Sequence, residues 1–483
     1  MIRHKGDVDQ RAAWRSSPRR NLASNPTSAR VLARSIGVYT SRPMGSALNL
    51  QLSPQTVQIL VSVALIAAML HVLLGACAYA IMLERKLSAW MQDRLGPNRV
   101  GPMGLLQPIA DGLKFLMKED YNPVGVDKWL FILAPTFIII PALMGFVVLP
   151  WAGELDITPL INWLGVGVAN TAYPVRFIGA DINIGVIYLI ATAAMGVYGV
   201  SLGGWASNNK WSFLGGLRAS AQMISYEIPM GLTLLCVVLA AGTVSPYGLV
   251  EQQLSGQWNL LQQPLAAIIF YTCLLAESNR APFDLAEAES ELIGGFHTEY
   301  SSMKFAMFFL GEYFHIITGS AFFVVIFLGG WSINPFTHHD LPVVGGPLLM
   351  LAQFVIVFTK VALMVSLTMA VRWTVPRFRF DQLMRLSWEG LIPISLLLLL
   401  TVSFFVYFDV VSYLWLGSLG AMVVIYFLKP VLAGHLEANQ RVRMIGSRFS
   451  PLTDSDSTLA NRPSVALDDS AIPDPRQGMI SSH

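Results

Sequence analysis

Apolar stretches separated by more polar loops recur from residue 57 to residue 428. Those at about 57–83, 129–150, 181–203, 221–242, 262–278, 304–328, 346–371, 389–408 and 411–428 are long enough for a helix to cross a bilayer, which takes roughly 20 residues or a little less. The pattern predicts nine spanning helices and an all-α polytopic membrane protein. Glycine and proline inside these stretches fit that reading, because neighbouring helices can satisfy the backbone groups they free.

One loop is a polar island. From Glu277 to Glu299 it carries six acids, Glu277, Asp284, Glu287, Glu289, Glu291 and Glu299, against one formal base, Arg280. Apolar runs flank it on both sides, so its carboxylates are expected at a membrane boundary, partly out of bulk water. Carboxylates crowded in such a place share protons. A solvated acidic loop is the plainer alternative. Two features argue against it: the stiff Asn279–Asp284 turn built around Pro282, and further carboxylates within the neighbouring spans.

Composition sharpens the picture. Of 483 residues 54% are hydrophobic and 13% charged, about half the charge of a soluble globule. The net charge of +2 gives no reason to expect a nucleic-acid partner. The distribution of charge says more: loops 84–128, 204–220, 277–304 and 372–388 hold 15 Lys and Arg, whereas loops 150–180, 243–261 and 329–345 hold only Arg176. The first set is expected in the cytoplasm. Residues 1–50 are rich in bases, Ser and Pro and read as a disordered tail, as do residues 429–483 on the cytoplasmic side. The basic residues before Met44 run against the charge rule, and a start at Met44 would remove the conflict. Cys77, Cys236 and Cys273 lie in separate apolar runs with no metal-binding spacing, so no metal is expected.

Within the spans, Glu227 is expected about six residues inside the fourth and Glu312 eight residues inside the sixth. An intramembrane glutamate costs roughly 3 kcal/mol and marks a functional site by default. Lys360, midway along the seventh span, calls for a carboxylate neighbour or the loss of its proton. His71 and His315 read as satisfied packing residues. After the turns at Gly96-Pro97, Gly101-Pro102 and Gln107-Pro108, residues Ile109, Leu113, Leu116 and Met117 fall at helical spacing, which predicts an amphipathic helix at the interface.

Four segments, ERKLSAWMQDRLGPNRVGPMGLLQPIADGLKFLMKE, GWASNNKWSFLGGLRASAQMISYEIP, AESNRAPFDLAEAESELIGGFHTEYSSMKFAMFFLGEY and RWTVPRFRFDQLMRLSWEGLIP, together resemble the H-subunit (subunit 1) family of respiratory complex I. The likeness covers roughly residues 50–408, so residues 51–410 are expected to form the family's eight-helix domain, with 411–428 an extra ninth helix. It implies a bacterial inner-membrane subunit of NADH:quinone oxidoreductase that receives quinone from the lipid between its first helix, the amphipathic helix and the sixth helix. Flavin and iron–sulfur clusters would belong to partner subunits, and the loop at 277–300 would pack beneath the hydrophilic arm. By the same likeness Glu227, Glu277, Glu287, Glu289, Glu291 and Glu312 match the family's proton relay. Arg85, Arg94, Asp111, Arg280, Phe283 and Asp284 match its quinone chamber or the junction beside it.

The residues themselves support that reading, since quinone reduction takes up two electrons and two protons. A chain with no redox centre of its own, but with an apolar channel ending near exchangeable protons, is suited to couple the two. A homologous membrane component of an energy-converting hydrogenase or ferredoxin-linked complex would use the same carboxylates without quinone. A secondary transporter would show an internal repeat, and none is visible between the halves.

Overall fold

In the computed structural model, residues 53–164, 171–285, 293–336 and 342–433 are described. Residues 1–50 of the first predicted tail, residues 434–483 of the second, and Glu287, Glu289 and Glu291 lie outside them; residues 429–433, expected in the second tail, instead end the last helix.

The chain opens on α1 (Pro54–Met91), capped by the Ser53 hydroxyl on the Thr56 N–H. A glycine-rich turn leads to α2 (Gln107–Met117). At Gly104, in the left-handed region with φ +82°, a Cβ would stand 2.2 Å from the Pro97 carbonyl oxygen, so only glycine closes this turn. Helix α3 (Lys128–Val147) is followed by β1 (Pro150–Asp156), α4 (Thr158–Leu164) and β2 (Pro174–Ile178). Next come α5 (Gly185–Ala194) and α6 (Gly196–Ala206), one span broken at Met195, and α7 (Lys210–Ala241). The short α8 (Pro246–Ser255) and α9 (Asn259–Gln262) lead into α10 (Pro264–Glu277) and α11 (Ser302–Phe327). Strand β3 (Val344–Gly345) precedes α12 (Pro347–Thr374), α13 (Phe380–Arg385), a π-helical turn over Leu386–Leu391, α14 (Ile392–Tyr407) and α15 (Leu414–Ala433).

Seven described helical spans are long and apolar enough to cross a membrane, and shorter apolar helices stand at the fifth and ninth predicted positions. The fold is an all-α membrane bundle. The addition is a three-stranded sheet, order β2-β1-β3, at the end of the bundle where α1 begins. There β1 runs antiparallel to β2 and parallel to β3. Gln58 and Ser62 of α1 bond the carbonyls of Arg176 and Ile178 and fasten the sheet to the bundle.

One expectation is corrected. Helix α7 begins at Lys210 rather than near 221, which puts Glu227 at mid-helix. Asn209 caps it by accepting the Trp211 N–H, and small residues carry its first turns against neighbouring backbone: a Cβ on Gly215 would stand 2.8 Å from Gly295. Lys360 lies among backbone carbonyls: its ammonium donates to those of Leu328 (2.5 Å), Gly330 (2.9 Å) and Ser332 (2.5 Å) and lies 4.2 Å from the Trp258 ring centre. Three oriented carbonyls supply it with partial negative charge.

Candidate functional site

The polar island begins where α10 ends. Buried Gln222 of α7 fixes it, donating to the carbonyls of Ala276 and Phe283 (both 2.7 Å) and to Asn279 Oδ1 (3.3 Å). The Ala281–Pro282 peptide is cis, and the Phe283 N–H closes the turn on the Arg280 carbonyl at 2.9 Å. Phe283 is buried between Tyr226 and Phe378, its ring 5.5 Å from each. Asp284 pairs with Arg377 at 2.8 Å.

Arg280 turns back into the bundle. Its Nε lies 2.6 Å from Glu312 and one Nη lies 3.6 Å from Glu84, while the guanidinium sits 4.5 Å from the Tyr313 ring centre. Glu84 also accepts from the Tyr313 hydroxyl and from Arg372. The result is a buried cluster of two carboxylates, two guanidiniums and a phenol drawn from α1, the loop, α11 and α12. Buried charges persist only when paired and hydrogen-bonded in this way.

Glu277 is the hub of the remaining space. It lines a cavity of about 40 Å³ shared with Glu312, a second of about 40 Å³ that runs along α11 past Thr318, and a third of about 10 Å³ shared with Glu227. Measured by where the centre of a water-sized sphere fits, a single water needs ~10–15 Å³. The first two therefore have room for waters and the third for about one. Within the described residues Glu227, Glu277 and Glu312 thus line neighbouring, largely apolar spaces, although they come from α7, α10 and α11.

Proline shapes the site as well. Pro229 of α7 has no N–H for the Ser225 carbonyl one turn back, and Ser387 takes that carbonyl at 2.7 Å. Ser387 lies in the π-helical turn, which Pro393 permits by leaving the Glu389 carbonyl without its helical partner. Tyr226, beside Glu227, donates to the Leu383 carbonyl at 3.0 Å. These contacts anchor α7 to α13 and to the π-helical turn that precedes α14.

At the lateral face, Arg85 pairs with Asp111 at 2.6 Å, tying α1 to α2, and Ser302 of α11 donates to the carbonyls of Phe115 (3.0 Å) and Lys118 (2.8 Å). The apolar face of α2 is uncovered, with Ile109, Leu113, Leu116 and Met117 all exposed. The amphipathic helix is therefore a flap of apolar surface between the first helix and the helix that carries Glu312. Arg94 is exposed and donates to Gln92 at 2.7 Å, apart from the cluster.

Glu84, Tyr313 and Arg372 belong to the cluster but were not among the predicted site residues. Tyr313 adjoins Glu312, the one local hint. The other two looked like loop charges, because the apolar runs stop just short of both. The histidine expectation is also corrected. His71 bonds the Ala67 carbonyl at 2.8 Å but sits exposed rather than packed, and His315 Nε2 is shielded with no protein partner.

Sequence comparison identifies the family. The family profile described as NADH dehydrogenase matches residues 63–403. The chain is 46% identical over 333 residues to the first H-subunit of NADH-quinone oxidoreductase from Cytophaga hutchinsonii, covering 69% of this chain and 93% of that one. It is 47% identical over 330 residues to the H-subunit from Protochlamydia amoebophila, covering 68% and 93%. With the H-subunit from Rhodospirillum rubrum it shares 44% over 338 residues, covering 70% and 91%. A profile match over most of the bundle, with relatives aligned along nearly their whole length, places this chain in the H-subunit family of NADH-quinone oxidoreductase, respiratory complex I.

Proposed function

We propose that this chain forms the quinone chamber and the coupling element of a proton-translocating NADH:quinone oxidoreductase in a bacterial inner membrane. The observation that carries the reading is the position of Glu277, at the end of α10, where it faces Glu312 through one cavity and Glu227 through another. Quinone enters past the flap made by α1, α2 and α11, and its tail lies in apolar surface. Electrons reach it from flavin and iron–sulfur centres in partner subunits of the peripheral arm, which rest on the acidic loop. Adjacent membrane subunits receive the proton motion.

The chain's own part is electrostatic. Reduction creates negative charge at the quinone, and proton uptake removes it. Either change alters the proton affinity of nearby carboxylates in a medium that screens poorly. Arg280 is placed to transmit the change, since it contacts Glu84 on the chamber side and Glu312 on the relay side. Glu287, Glu289 and Glu291 extend the relay into the loop, and Arg85, Asp111 and Arg94 border the entrance.

In the intact complex in vesicles, Glu277→Gln should assemble and still pass electrons from NADH to a water-soluble acceptor. Quinone reduction and proton translocation should both fall by about tenfold or more, as expected when a proton-transfer group can no longer titrate. Glu277→Asp should keep part of both. Near-normal values for Glu277→Gln would reduce Glu277 to a packing residue.

A further inference from the structure

The two larger cavities meet at a side chain that the carboxylate relay does not use. One extends along α11 from Phe305 to Glu312, and the other lies one to two turns farther into the bundle, lined by Thr192, Thr318 and Phe322. Glu277, Ser278 and His315 line both, so they form the neck. His315 stands one helical turn beyond Glu312. Its Nε2 is shielded from the outside and has no hydrogen-bond partner among the described residues. The break between α5 and α6 makes room for it: a Cβ on Gly196 would stand 3.3 Å from both Cε1 and Nε2 of this ring.

A shielded imidazole nitrogen that faces spaces large enough for water is satisfied by water. We propose that His315 is a positioning residue that holds water across the neck, linking the Glu277 and Glu312 cavity to the Thr192 and Thr318 cavity. Packing against Gly196 fixes the ring, and Nε2 directs the water. Protons gathered near the loop then have a continuous path deeper into the bundle, beside the branch toward Glu227. The inference rests on the relay reading above.

The test uses the intact complex in vesicles. His315→Leu fills the ring's place without a polar atom. It should leave NADH oxidation by a water-soluble acceptor unchanged and lower quinone-linked proton translocation by about tenfold, within the range for a lost proton-transfer contact. His315→Gln places an amide near the position of Nε2 and should recover more than half of the loss, which a purely structural role would not predict. Normal translocation in the Leu variant would overturn the proposal, as would a Gln variant no better than Leu. If His315→Leu does not assemble, Gly196→Ala crowds the same ring and should show a loss of translocation; its absence would be equally fatal. Glu277→Gln measured alongside separates the two claims. If Glu277→Gln is impaired and His315→Leu is not, only this inference falls; if both are normal, the relay reading falls too.

Discussion

Two arginines in this chain each bridge two carboxylates, one at either end of the bundle. Arg176 of β2 lies 2.9 Å from Glu154 and 2.6 Å from Asp181, with its guanidinium 4.6 Å from the Tyr247 ring centre. Arg280 lies 2.6 Å from Glu312 and 3.6 Å from Glu84, with its guanidinium 4.5 Å from the Tyr313 ring centre. The side chain of Arg176 is 42% exposed and that of Arg280 5%. At Arg176 burial opposes the charge, but hydrogen bonds to Glu154 and Asp181 outweigh it and raise the guanidinium pKa. Water screens that group, and it can serve only to pin the sheet. Arg280 has no such screening, so a change of charge at one of its carboxylates is felt at the other. Nearly the same set of groups is a fastening in one place and, in the function proposed above, a coupling in the other, and access to water makes the difference.

Substitution should separate the two. Arg280→Ala leaves Glu84 and Glu312 short of a cation in a dry site, at a cost of ~3–5 kcal/mol for breaking a buried pair. It is expected to lower the yield or thermal midpoint of the assembled complex, and to lower quinone reduction in what does assemble by more than it lowers electron transfer to a water-soluble acceptor. Normal stability and turnover would show that Arg280 is screened after all. Arg176→Ala should have the smallest effect, ~0–1 kcal/mol, with turnover and translocation unchanged. A loss of activity as large as that of Arg280→Ala would erase the distinction.

Part of this was legible in the chain. The spans show themselves because a bilayer demands long apolar runs, and Glu227, Glu277 and Glu312 stand out because ionisable groups beside such runs are costly. The amphipathic helix followed from the spacing of Ile109, Leu113, Leu116 and Met117. What stayed hidden depends on where helices continue beyond their apolar cores. Helix α1 runs on to Met91, so Glu84 is a buried helical residue although it reads as the first residue of a basic loop. Arg372 is in the last turn of α12 for the same reason. The partners of Lys360 include three main-chain carbonyls, which no pattern of residue types can display. The exposure of His71 and the position of His315 at a neck depend on how helices pack, and the sheet arises from loop segments too short to show a period.

The central claim is that Glu277 and Glu227 lie on one proton route. The direct test is proton translocation per electron in vesicles bearing Glu227→Gln, Glu277→Gln and both together. Groups that act in series are non-additive. The double variant should therefore be no worse than the more impaired single variant. Losses that multiply in the double variant would mean that the two carboxylates serve separate routes, and would contradict the account.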